Sequence, residues 1–110
     1  MRNIKLIALD LDGTLLNMEK KVPQGNYQAL KECETAGIQI VPATGRGVGG
    51  IPPMIRELPG ANYAITTNGA VVADLKNNKA IKTCGLSNEM IQRILNIAKK
   101  YHAATDPFID

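Results

Sequence analysis

One stretch near the amino terminus, residues 7–16 with the sequence IALDLDGTLL, restricts the possible folds of this chain more than any other. Its apolar run ends in two carboxylates one residue apart, Asp10 and Asp12, and Gly13 follows. Residues i and i+2 of a strand point to the same face, so we expect the two acids to lie side by side where the strand stops. Like charges about 4 Å apart repel by roughly 4 kcal/mol at an effective dielectric constant of about 20. The pair therefore shares a proton or recruits a cation, although a D-x-D pattern alone also fits a polar strand end before a turn.

Two further segments place polar and glycine residues directly after predicted strands. The first, residues 42–46 with the sequence PATGR, leads into a loop with four glycines in the seven residues from Thr44 to Gly50. Glycine-rich backbone at the carboxyl end of a parallel strand can approach a phosphate closely and direct N–H groups at it. The second, residues 67–70, reads TNGA, and Asn-Gly is also one of the commonest turn dipeptides. Taken alone, both loops are compatible with a phosphate site and with ordinary turns.

Taken together and in this order, the three segments resemble motifs of the haloacid dehalogenase (HAD) superfamily of phosphatases and phosphomutases. DLDGTL resembles its nucleophile motif, and PATGR its second motif, a strand ending in Thr or Ser. TNGA resembles the N-G-A of the branch called Cof-type, whose members act mostly on sugar phosphates and similar small phosphate esters. The resemblance implies an α/β fold with a Rossmann-like parallel sheet, and Mg²⁺ as the cofactor.

The resemblance also implies a role for each matched residue. Asp10 is the nucleophile that forms an aspartyl-phosphate, and Asp12 is the general acid and base. The Asp10 carboxylate and the Asp12 backbone carbonyl are the implied Mg²⁺ ligands. The phosphate-binding residues implied in the same way are Thr44, Gly45, Arg46 and Asn68. For the arginine, an ordinary exposed loop position is an equal alternative.

Hydrophobic patterning predicts three strand-and-helix units followed by a hairpin and a helix. We expect the first strand at residues 4–9, buried on both faces as in a central parallel strand. A helix over residues 24–36 is expected to bury Tyr27, Leu30 and Cys33 and to end at a left-handed Gly37. The other predicted elements are strands at 38–41 and 62–66, a short helix at 51–58, hairpin strands at 70–74 and 80–83, a helix capped by Ser87, and a strand near 103–109.

The change of pattern near residue 70 predicts a domain boundary. Residues 1–69 would form the amino-terminal part of a HAD-like core, and residues 70–110 the beginning of an α/β cap. Two elements implied by the resemblance have no convincing match here, namely a core lysine and a glycine-plus-acid motif that completes the Mg²⁺ site. Asp106 and Asp110 have a D-x-x-x-D spacing, but no glycine precedes them. We therefore expect an amino-terminal fragment that is inactive by itself.

Composition narrows the function classes further. A chain of 110 residues with 45% hydrophobic and 21% charged residues is typical of one soluble domain. A net charge of +3 mildly favours anionic ligands, whereas the scattered Lys and Arg residues, with only three Tyr and one Phe, argue against nucleic acid. No apolar run approaches the roughly 20 residues that span a bilayer, and no signal peptide is recognised, so we expect a cytoplasmic protein without membrane partners. Cys33 and Cys84 have no metal-ligand spacing, which indicates reduced thiols.

Two function classes stay open at this point. One is a Mg²⁺-dependent phosphatase acting on a small phosphorylated metabolite, with a phosphomutase as the alternative because the nucleophile motif is shared. The other is a catalytically inactive truncated fragment or a module that binds phosphate or a partner. The sequence determines neither the particular ester nor the oligomeric state.

Overall fold

The structure, a computed structural model, describes residues 3–107 and builds them around a five-stranded sheet of order β1-β2-β3-β4-β5. The strands are β1 (Leu6–Asp10), β2 (Gln39–Ala43), β3 (Tyr63–Thr66), β4 (Val71–Asp74) and β5 (Lys79–Thr83). The helices are α1 (Gln24–Thr35), α2 (Pro53–Arg56) and α3 (Asn88–Lys100), with short 3-10 turns at Val48–Gly50 and Thr67–Gly69. The first three strands are parallel, and β4 and β5 continue the sheet antiparallel. The predicted α/β class, three parallel strands followed by a hairpin and a helix, is confirmed.

Helix α1 connects β1 to β2 and ends as its sequence predicts. Gly37 adopts a left-handed conformation (φ +72°), and the N–H groups of Gly37 and Ile38 each donate to a carbonyl oxygen of the last turn at 2.9 Å. Leu30 is buried and Cys33 half-buried, but Tyr27 is 41% exposed. The expectation that Tyr27 is buried is wrong because it lies on the flank of the packed face, where the Lys31 ammonium sits 5.9 Å from its ring centre.

Strand β1 is packed on one face only within the described residues. Ile7 and Leu9 pack against the core, whereas Leu6 is 55% exposed and Ala8 is also exposed. The prediction of two buried faces is wrong for residues 3–107 because β1 is the edge strand of their sheet and α1 covers one side of it. The buried core cluster consists of Leu11, Leu15, Leu16, Leu30, Ile40, Ile51, Ile55, Leu58, Ala61, Ala64 and Leu75.

The segment between β2 and β3 uses its two prolines where a helix tolerates them. Pro52 precedes α2 and Pro53 is its first residue, where the missing N–H leaves no helical hydrogen bond unmade. Ile55 follows and is fully buried. The short helix predicted at residues 51–58 is therefore confirmed in shorter form, and it anchors the loop that begins at Thr44.

The last third of the described chain is much more exposed than the first two. Strand β4 is part of the core through Val71 and Ala73, but every residue of β5 is exposed. The Ser87 side chain accepts a hydrogen bond from the Met90 N–H at 3.2 Å, which confirms the predicted cap of α3. This helix has no buried residue. The domain boundary expected at residue 70 stays a prediction.

The prediction of a strand near residues 103–109 is wrong for residues 103–107, which have no regular structure. Residues 108 and 109 lie outside the described part. Within residues 3–107, none of the helices is long and apolar enough to cross a membrane.

Candidate active site

The turn after β1 brings Asp10 and Asp12 to the carboxyl edge of the sheet. Asp10 ends the strand, and Gly13 reverses the chain in a left-handed conformation (φ +78°) that glycine adopts without strain. Below the turn, Leu11 is 1% exposed and Leu15 is 5% exposed, and the Leu15 N–H donates to the Asp10 carbonyl at 3.2 Å. Buried leucines therefore hold the turn from inside while both carboxylates lie at the surface.

The loops after β2 and β3 are joined to each other by backbone hydrogen bonds. The Thr44 N–H donates to the Ile65 carbonyl at 2.9 Å, and the Asn68 N–H donates to the Thr44 carbonyl at 3.3 Å. The Thr67 N–H donates to the Arg46 carbonyl at 2.9 Å. Within the first loop, the Thr44 hydroxyl oxygen accepts the Arg46 N–H at 3.1 Å. These contacts make one continuous surface from two loops that are distant in sequence.

Four of the six predicted site residues meet in one cavity of about 280 Å³. Its lining residues are Asp10, Ala43, Thr44, Gly45, Ile65, Asn68 and Gly69. The volume lies near the lower end of the range for small-ligand sites. A Cβ atom at position 45 would lie 2.8 Å from Asn68 Oδ1, so glycine at this position lets the Asn68 amide stay in the cavity.

The two remaining predicted residues, Asp12 and Arg46, lie beside this cavity and contact each other. Arg46 Nη2 lies 3.7 Å from Asp12 Oδ2, and Lys20 Nζ lies 2.8 Å from Asp12 Oδ1. The hydrogen bond from Lys20 lowers the pKa of the Asp12 carboxyl below its ordinary value, and the positive charges of Lys20 and Arg46 act in the same direction. The carboxylate form, which accepts a proton, is therefore the favoured one.

Sequence reasoning missed Lys20 and Thr14 as members of the site. The Thr14 hydroxyl donates to Asp10 Oδ2 at 3.3 Å. Lys20 lies in a polar stretch that the pattern indicates only as a loop, and it reaches Asp12 across eight residues. Asn17 indicated that this stretch turns, because asparagine side chains often organise tight turns. A turn at Asn17 reverses the chain and can bring a later residue such as Lys20 back towards Asp12.

The oxygen atoms at the end of β1 fit part of a Mg²⁺ site. Mg²⁺ is usually held by one or two carboxylates together with water and substrate phosphate, and the Asp10 carboxylate and Asp12 carbonyl are donors of this type. Within residues 3–107, no three His, Cys, Asp or Glu side chains cluster as a fuller metal site. Asp106 lies in a groove beside α3 with Leu86 and Ile91, and Asp110 is outside the described residues.

Residues 7–109 match the model of the haloacid dehalogenase-like hydrolase family. The chain is 33% identical over 100 residues to a 5-amino-6-(5-phospho-D-ribitylamino)uracil phosphatase of Bacillus subtilis, covering 91% of this chain and 40% of that protein. It is 27% identical over 106 residues to a pyridoxal phosphate phosphatase of Escherichia coli, covering 96% of this chain and 39% of that protein.

Solved structures show the same relationship. A phosphatase of the haloalkanoate (HAD) enzyme superfamily from Bacteroides thetaiotaomicron superposes with a TM-score of 0.78 at 30% identity, over 90% of this chain and 36% of that one. A sugar phosphatase of HAD subclass IIB superposes with a TM-score of 0.70 at 25% identity, over 88% of this chain and 38% of that one. The chain thus spans between 36% and 40% of the length of these four relatives.

Proposed function

The chain belongs to the haloacid dehalogenase-like hydrolase family, and from this premise we propose that the protein hydrolyses small phosphate monoesters, such as sugar phosphates, through an aspartyl-phosphate on Asp10. The observation that carries the proposal is the cavity that Asp10 shares with Thr44, Gly45 and Asn68. It lies at the carboxyl ends of parallel strands, where open α/β sheets bind their ligands. The named phosphatases among the relatives support the same reaction class.

In the first proposed step, an Asp10 carboxylate oxygen attacks phosphorus while the bond from phosphorus to the ester oxygen breaks. The leaving alcohol oxygen takes a proton from the protonated form of Asp12, which is the minor form in the free site and acts as the general acid. In the second step, Asp12 accepts a proton from a water molecule that attacks the same phosphorus. The bond from phosphorus to Asp10 then breaks, which releases inorganic phosphate and restores both carboxyl groups.

The loop residues hold the phosphoryl oxygens in this proposal. Because the Thr44 hydroxyl oxygen already accepts the Arg46 N–H, its own proton is available for a phosphate oxygen. The side-chain amide of Asn68, which lies beside Gly45 in the cavity lining, orients the substrate. When Mg²⁺ is bound by the Asp10 carboxylate and the Asp12 carbonyl, it supplies the positive charge that offsets repulsion between the acids and the phosphate.

Hydrolysis of p-nitrophenyl phosphate, with and without Mg²⁺, tests this proposal in the whole protein that carries this chain, because the sequence predicts that residues 1–110 are inactive by themselves. We expect Asp10→Asn to lower the rate by at least roughly a thousandfold, since loss of a covalent nucleophile costs this much or more in other enzymes. The matched control is Asp74→Asn, which changes an exposed carboxylate in the β4–β5 hairpin. Circular dichroism of each variant establishes that the fold is kept. Equal rates for the wild type and Asp10→Asn would contradict the proposal.

A second candidate function is phosphate binding without turnover. The cavity lining supports it, because the Thr44 hydroxyl and the loop backbone can hold a phosphate whether or not Asp10 reacts with it. A folded chain that binds inorganic phosphate in the wild type and not after Thr44→Val, but hydrolyses no ester, would support this candidate. Recovery of an isomerised phosphate ester instead of inorganic phosphate would support a phosphomutase.

We also propose that two segments of the chain have different roles. Residues 1–69 carry the catalytic groups, and residues 70–110 begin a cap that limits access to the cavity. The full exposure of β5 and the absence of buried residues from α3 support a separate role for this part. A cytoplasmic location agrees with the proposed substrates, which are small phosphorylated metabolites.

A further inference from the structure

We propose that Lys20 is a positioning residue that fixes the orientation of the Asp12 carboxylate for proton transfer, an inference that rests on the proposed function. Its ammonium group lies 2.8 Å from Asp12 Oδ1 and donates a hydrogen bond to that oxygen. Arg46 Nη2 faces the other oxygen, Oδ2, at 3.7 Å, which is beyond hydrogen-bond distance. The two oxygens of Asp12 are therefore held unequally, with Oδ1 as the anchored one.

The turn that carries Lys20 is built in a way that aims this side chain. Asn17 Oδ1 accepts the N–H groups of Glu19 and Lys21, each at 3.0 Å. The Asn17 N–H donates to the Lys21 carbonyl at 2.9 Å, and the Lys20 N–H donates to the Asn17 carbonyl at 3.0 Å. Within this closed turn Lys20 has a left-handed backbone (φ +60°), which residues other than glycine rarely adopt. Four hydrogen bonds within the turn thus fix the position of the Lys20 backbone. From this position its side chain contacts the Asp12 carboxylate.

This geometry assigns different tasks to the two oxygens of Asp12. Oδ1 is bound to Lys20 and cannot turn towards the substrate without losing that hydrogen bond. Oδ2 is the oxygen left to exchange a proton with the leaving alcohol and later with water. Loss of the Lys20 ammonium would let the carboxylate rotate, so that fewer molecules present Oδ2 to the ester oxygen at the moment of cleavage.

The first turnover with two esters tests the role of Lys20. The leaving group of p-nitrophenyl phosphate departs without protonation, whereas ethyl phosphate needs a proton from the general acid. We expect Lys20→Gln to slow release of ethanol by about 2- to 5-fold, because both partners of the ion pair are exposed and such pairs hold a side chain only weakly, and to leave release of p-nitrophenol unchanged. Lys20→Arg should restore most of the ethanol rate. Lys21→Gln, which removes a lysine of the same turn paired with Glu19 at 3.2 Å, should change neither rate.

A second variant separates this role from folding of the turn. Lys20→Gly removes the ammonium at a backbone position that glycine adopts freely, and it should reproduce the selective loss on ethyl phosphate. Equal losses on both esters, or no loss on ethyl phosphate, would overturn the inference. Failure of Lys20→Arg to restore the ethanol rate would also overturn it.

A measurement without turnover distinguishes failure of this inference from failure of the proposed function. If wild type and Asp10→Asn hydrolyse neither ester, the proposed function is refuted. The ¹³C chemical shift of the Asp12 carboxyl then tests by itself whether Lys20 contacts Asp12. This signal should shift in Lys20→Gln and stay unchanged in Lys21→Gln. An unchanged signal in both variants would refute the contact itself.

Discussion

A methyl group at position 45 would collide with the side chain of Asn68. The added Cβ would lie 2.8 Å from Asn68 Oδ1, and ordinary contact begins at 3.4 Å, so the amide has to withdraw by the difference of about 0.6 Å. Asn68 is exposed, which lets its side chain rotate away from the new methyl group. We expect Gly45→Ala to cost less than about 1 kcal/mol in the free energy of unfolding, below the roughly 1–3 kcal/mol of overpacking in a closed core.

The same displacement should be visible in the kinetics. Moving the Asn68 amide out of the cavity removes one hydrogen bond to the substrate, worth about 0.5–1.5 kcal/mol, which corresponds to a rise in KM for p-nitrophenyl phosphate of roughly 2- to 12-fold. Asn68→Ala should raise KM by a similar factor. Because both changes remove the same contact, the double variant should be no worse than Asn68→Ala alone.

Steady-state kinetics and urea unfolding of the four proteins in this cycle provide the measurement. Gly49→Ala is the matched control, since a Cβ at that glycine of the same loop meets no atom within 4 Å. Losses that add in the double variant would refute the argument, because they would mean that the methyl group acts elsewhere. A loss of unfolding free energy above about 3 kcal/mol in Gly45→Ala would refute it as well.

Two further predictions concern stability. Gly37→Ala should lower the free energy of unfolding by about 1–2 kcal/mol because its backbone is left-handed, whereas Gly25→Ala in α1 should raise it by about 0.5 kcal/mol; urea unfolding of both variants checks the opposite signs. Hydrogen bonds from Asn77 lower the pKa of Asp74 below its ordinary value of 3.8, the backbone N–H having the largest effect and the side-chain amide the next largest. The ionised carboxylate therefore stabilises the fold above that value, and its contribution is lost as the pH falls through the folded-state pKa. The wild type should be more stable than Asp74→Ala at about pH 6, and urea unfolding at about pH 2 should show a smaller difference.

Local signals predicted much of the fold correctly. The apolar run before Asp10, the Gly37 cap and the Ser87 cap each depend on residues close in sequence, and each is present in the structure. The positions of Thr44 and Asn68 could also be predicted, because the carboxyl ends of neighbouring parallel strands meet at one edge. Motif order thus predicted which loops come together.

Features that depend on tertiary packing could not be read from the pattern. The exposure of Tyr27 depends on where the face of α1 meets the sheet. The exposure of Leu6 depends on the second face of β1, which no element within residues 3–107 covers. The contact between Lys20 and Asp12 requires the turn that Asn17 organises, and no spacing rule specifies its direction. Periodicity indicates which residues are apolar, but the neighbours that cover them come from elsewhere in the chain.

The crosswise hydrogen bonds between the loops after β2 and β3 have a consequence for how the cavity opens. The Asn68 N–H donates to the Thr44 carbonyl, and the Thr67 N–H donates to the Arg46 carbonyl. Neither loop can therefore move away from the sheet without breaking hydrogen bonds to the other loop. The two loops therefore form one cooperative unit in the sense of local unfolding. The amide protons of Thr67 and Asn68 should exchange with solvent at a common rate, and an anion that binds one loop should protect the amides of both.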